Sequence, residues 1–243
     1  MNRNPWSRLL PSRSVPLTRW RVEGTRWKAR PTTLLVLAVG LWLFGTGEAL
    51  LVDAGIGVSP WTVFAEGLST RLPISIGAAY FWTSVVVLLL WIPLRERPGL
   101  GTLANAVIIA LSLQVMLEIL PTPSAFGWQV LQVLAGIACI GIGSGLYLTT
   151  NLGPGPRDGL MTGIHRRSGS PVSLVRLGIE VAVLSFGWLL GGTVGLGTVL
   201  FALLVGPSVG YGLRAVGLLA GATATAPIDE NDSDWTGHPE LEA

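Results

Sequence analysis

The sequence predicts an all-α polytopic membrane protein: six transmembrane helices in two inverted three-helix repeats, each with a short Gly-Pro-initiated helix after its first span. Three observations predict it. Half of the 243 residues are apolar and only 12% are charged, about half the charge of an ordinary soluble domain. The apolar residues gather into six blocks, each near the roughly 20 residues that a helix needs to cross a bilayer core. The chain also matches itself at a shift of 96 residues, which carries Gly40 onto Gly136.

The predicted spans are Leu34–Val52, Ile76–Leu94, Leu100–Leu120, Phe126–Leu148, Val172–Leu190 and Val194–Arg214. The first is too long for a signal-peptide core and lacks a following small-x-small site, so it is expected to stay in the membrane. Residues 1–30 form a basic tail with seven arginines and one lysine against Glu23. Arg95, Arg97, Arg157, Arg166 and Arg167 fall on the same side if the spans alternate, while the opposite loops are nearly free of basic residues. The positive-inside bias then places both termini in the cytoplasm and the protein in a bacterial cytoplasmic membrane. Both tails read as soluble and poorly ordered. The first suits anionic headgroups better than nucleic acid; the second, over 221–243, carries six acids and no lysine or arginine, as solvated tails do.

The 96-residue shift superposes 40–68 on 136–164 and aligns Gly40, Gly45, Gly47, Gly57 and Gly67 with glycines. It also sets Pro60 on Pro156 and the GLGT of Gly99–Thr102 on the GLGT of Gly195–Thr198. The units are predicted as 31–125 and 126–220. Three spans per copy force the second to enter the membrane from the other side, the inverted plan of many secondary transporters. In each copy a Gly-Pro break follows the first span, AGIGVSPW and NLGPGPRD, and is expected to start a helix of some eight to ten residues near Trp61 and Arg157. Such starts either hold a ligand's anionic group or are interfacial turns.

Charged residues inside a span are functional candidates by default. Glu180, one turn after Arg176, leads this set, with a structural Arg176–Glu180 ion pair as the alternative. Glu48, Asp53, Ser59, Trp61, Asn151, Arg157 and Asp158 complete the candidate substrate or ion pathway. Trp82, Trp91 and Trp128 read as interfacial belt residues. Cys139 is the single cysteine. No Gly-Lys-Ser/Thr follows the glycine loop and no HExxH occurs, so no enzyme activity, metal or cofactor is expected.

The segments GIGVSPWTVFAEGLSTRLPISIG, RERPGLGTLANA, LGPGPRDGLMTGI and GWLLGGTVGLGTVLFALLVGP resemble those of the YczE/YitT-like bacterial integral membrane proteins, in particular the YczE branch. The resemblance covers roughly residues 34 to 215. It implies the fold and a bacterial membrane location. Thr62 departs from it, standing where the first copy often has an acid, whereas Asp158 keeps the acid in the second. Two functions stay open. One is a permease for a small anionic or zwitterionic solute; the other is a scaffold or accessory subunit that binds a protein partner or a second copy.

Overall fold

The computed structural model describes residues 14–222 and the backbone of residues 225–227. Apart from a two-stranded ladder of β1 (Ser14–Pro16) and β2 (Thr225–Pro227), its regular structure is helical: α1 Pro31–Ala54, α2 Pro60–Arg71, α3 Ile76–Leu94, α4 Leu100–Ile119, α5 Phe126–Leu148, α6 Pro156–Ser168, α7 Val172–Leu190 and α8 Leu196–Leu219. All but α2 and α6 are long and apolar enough to span a membrane. α2 and α6 follow the first long helix of each half, and at 12 and 13 residues they run a turn longer than expected.

α1 and α5 cross at the centre, α4 packs on α1, and α8 packs on α5. Glycines permit that crossing. A Cβ on Gly143 would stand 2.5 Å from the Gly40 carbonyl oxygen, and one on Gly47 would stand 2.5 Å from that of Gly136, so the backbones touch as they do at small-residue interfaces in lipid. Around this centre, α2 packs on α3 and α7, and α6 packs on α3 and α7. α7 buries little apart from Val175 and Gly187 and turns Leu174, Leu177, Phe186, Trp188 and Leu189 outward. Apolar surfaces of this kind place the long helices in contact with lipid.

The GLGT motifs hold the breaks. Gly101 N donates to Leu152 O at 2.9 Å and Gly197 N donates to Ile56 O at 2.8 Å. A shift of 96 maps Ile56 onto Leu152 and Gly101 onto Gly197, so each break is bonded to the helix start in the other half. Thr102 and Thr198 hydroxyls accept from the Gly99 and Gly195 amides, satisfying amides that a helix start leaves free.

The expectation of loose tails is corrected for part of each. Residues 14–30 lie along the α5–α6 connection: Val22 N donates to Thr150 O at 3.1 Å, Trp20 Nε1 to Thr149 Oγ1 at 3.0 Å and Leu100 N to Arg26 O at 3.1 Å. The β1–β2 ladder pairs Val15 with Ala226. Backbone hydrogen bonds of this ladder join the described parts of the two tails. Residues 1–13 and 228–243, where the rest of the tail expectations fall, lie outside the described residues.

Candidate functional site

Glu48 is fully buried, two turns before the end of α1. Its Oε2 accepts from Ser59 Oγ and from Thr62 Oγ1, both at 2.8 Å. Ser59 is the residue before Pro60, a position from which a serine hydroxyl commonly caps a helix. Instead its hydroxyl does not cap its own helix, and the carboxylate of α1 receives it at the α2 start. The start of the first short helix thus faces a carboxyl group supplied by the protein itself, and the place expected for a ligand's anionic group at that end is taken by Glu48. Glu48 Oε1 is buried with no hydrogen-bond partner.

At the second break the charge sits on the short helix. The Arg157 guanidinium lies 5.2 Å from the Trp61 ring centroid and 4.8 Å from that of Tyr80. Each such contact is worth about 0.5 kcal/mol in water and about 2 or more when desolvated. Arg157 is half-buried, whereas Trp61 and Tyr80 are 6% and 3% exposed. Burial is the largest influence on its charge and is opposed by the carboxylates of Glu48, Asp158 and Glu180. Asp158, in the first turn of α6, is exposed and accepts from Tyr147 Oη at 3.1 Å.

These elements enclose a cavity of about 10 Å³ lined by Trp61, Tyr80, Thr83, Ser84, Val87 and Arg157, which is room for one water. The Trp61 indole nitrogen is buried beside it with no acceptor. Trp91 closes the neighbouring turn by donating to Pro156 O at 2.9 Å. At 2% exposure it is a core residue, which corrects its assignment to the interfacial belt; Trp82 and Trp128 are exposed as that assignment requires.

The structure therefore brings Glu48, Ser59, Trp61, Arg157 and Asp158 of the sequence candidates together. Glu180 reaches the group through its effect on Arg157, but it also pairs with Arg176 at 3.0 Å on the outer helix α7, where the two side chains are 34% and 57% exposed. The deepest acid is Glu48, so the lead given to Glu180 is reversed. Asp53, in the last turn of α1, keeps one buried oxygen unpartnered. Asn151 does not join it: its backbone is left-handed at φ 58° and its amide donates to Val22 O at 2.9 Å, anchoring residues 14–30. Sequence reasoning missed Tyr80 and Tyr147, which stand in apolar runs without a pattern to mark them. The role of Thr62 was legible in principle, because the 96-residue shift sets it on Asp158.

Among the described residues no group of three or more His, Cys, Asp or Glu side chains is placed to hold a metal ion. Comparison with known proteins finds an "Uncharacterized protein" of Haemophilus influenzae, 44% identical over 190 residues that cover 78% of this chain and 87% of that protein. The "Uncharacterized membrane protein YczE" of Bacillus subtilis is 33% identical over 182 residues, 73% of this chain and 80% of that protein. "Uncharacterized protein YyaS" of the same organism is 25% identical over 166 residues, 67% of this chain and 83% of that protein. No solved structure matches the chain. Residues 31–214, all eight helices short of the last turn of α8, match the profile of the Family of unknown function (DUF6198), and the chain belongs to this YczE-like family of membrane proteins.

Proposed function

We propose that the protein is a secondary transporter of the bacterial cytoplasmic membrane for a small zwitterionic solute, with both termini cytoplasmic. The observation that carries this reading is the Glu48–Arg157 group: oppositely charged side chains from the two halves, set among buried aromatic residues where both short helices begin. Ionisable groups inside a helical bundle cost at least about 2.5 kcal/mol each on insertion scales, a cost that a purely structural platform has no need to bear. The crossed bonds of Ile56 with Gly197 and Leu152 with Gly101 support two inverted repeats, which place a solute site between the halves. A lone anion is disfavoured because Glu48 already fills one helix end; a zwitterion gives both Glu48 and Arg157 a partner. Glu48 also serves as the carrier of a coupling proton. A cavity for one water holds no solute, so this conformation is closed and loading requires α2 and α6 to part.

Sealed vesicles containing the purified protein test this with a set of labelled amino acids, betaines and small carboxylates. We expect uptake of at least one zwitterion, reduced at least about tenfold by Glu48→Gln or Arg157→Gln in protein that inserts normally. Absence of uptake for the whole set, together with a stoichiometric protein partner on purification, overturns the reading in favour of a scaffold.

A further inference from the structure

We infer that the Trp61–Tyr80 aromatic pair is a recognition site for an organic cation, the ammonium or guanidinium group of a ligand, and that Arg157 occupies it as a tethered competitor when no ligand is bound. The inference rests on the transport reading only for its purpose; the binding site stands on the geometry. Two buried rings from different helices share one guanidinium at 5.2 and 4.8 Å, a distance at which ring faces attract cations. The indole N–H of Trp61, which lines the cavity, is buried without a partner, so the site contains unused polar capacity. The carboxylates of Glu48, Asp158 and Glu180 oppose the desolvation that a buried cation meets at the position the guanidinium fills, although that desolvation is the larger influence.

Arg157 is also the group that can leave. It is half-buried while the rings beneath it are buried. Its neighbour Asp158 is exposed and offers the displaced guanidinium a carboxylate. Departure opens a space the size of its own planar head next to the existing cavity, which suits cations of similar size.

The test uses the full-length protein in detergent, with millimolar tetramethylammonium and guanidinium as probes, potassium chloride to match ionic strength, and acetate as the anion. Binding is read by titration calorimetry. Both organic cations are expected to bind saturably. Arg157→Gln should tighten them about tenfold by removing the competitor; Tyr80→Leu and Trp61→Leu should weaken them about tenfold, and Tyr80→Phe should leave them unchanged. If Arg157→Gln does not fold, the contrast between Tyr80→Phe and Tyr80→Leu decides. Saturable binding of acetate that Arg157→Gln abolishes, with no binding of either cation, overturns the inference and makes Arg157 an anion anchor. Cation binding without vesicle uptake of any solute overturns the transport reading and leaves this site standing; zwitterion uptake without cation binding does the reverse.

Discussion

At the first break Gly57, with φ 112°, leads through Pro60 into α2; at the second Gly153, with φ 114°, leads through Pro156 into α6. Both glycines face the GLGT start of the opposite half: a Cβ on either would stand 2.8 Å from a threonine hydroxyl, of Thr198 or of Thr102. The side chains around this shared backbone differ. The first break is uncharged in its own helix start and receives a carboxylate from α1. The second bears Arg157 and Asp158 and is covered on one side by residues 14–30. One backbone device has thus been kept while its charge was divided, the acid buried in one half and the base in the other. That division is what sets opposite charges near each other at the meeting of the halves.

The comparison breaks most visibly at the glycines. Gly57→Val and Gly153→Val each force a β-branched residue into a left-handed conformation and against the opposite half, at a combined cost above about 3 kcal/mol. Both should abolish a monodisperse peak in detergent; if one is tolerated, the breaks are not equivalent. Next comes the buried acid. Glu48→Ala leaves the Ser59 and Thr62 hydroxyls buried without their acceptor and should lower stability by about 2 kcal/mol. Asp158→Ala, at an exposed position with one bond from Tyr147, should cost less than about 1 kcal/mol, so thermal melts of the two variants rank the breaks directly.

Smaller effects sharpen the contrast. Asn151→Ala removes the bond to Val22 and should cost about 1 kcal/mol in a thermal melt, with uptake preserved, because Asn151 lies outside the site. Arg176→Gln keeps a hydrogen-bond donor beside Glu180 on α7 and should lower the melting temperature less than Glu48→Ala does. A larger loss would mean that α7 is covered in the native assembly.

Hydropathy made the long helices legible: α3, α5 and α7 have the predicted limits, α1 extends beyond its predicted block at both ends, and α8 starts at Leu196 rather than Val194 and runs past Arg214 to Leu219. Lipid requires every backbone group to be bonded within the segment, so an apolar run of this length has few alternatives to a helix. Internal repetition located both breaks, because glycine and proline leave a trace in sequence wherever the backbone turns. The site was legible only in part. Glu48 and Arg157 were visible as charges in apolar surroundings, but their ranking depended on depth, and Glu180 looked deeper along the chain than it lies in space. Tyr80 and Thr62 act through tertiary neighbours from other helices, which one-dimensional spacing does not record. The N-terminal segment was misjudged because it is held by hydrogen bonds of its backbone and of uncharged side chains to distant parts of the chain, to which charge and composition are blind.

The crossed bonds at the breaks also constrain assembly. When the first half has left the ribosome, the Ile56 carbonyl still lacks the Gly197 amide that will bond it, and the Leu152 carbonyl of the second half is later received by Gly101, already in place. The earlier-made break must therefore wait in the bilayer, unfinished, until the last span arrives. The first half alone therefore leaves the Ile56 carbonyl without this partner, and α8 completes a turn begun at α1.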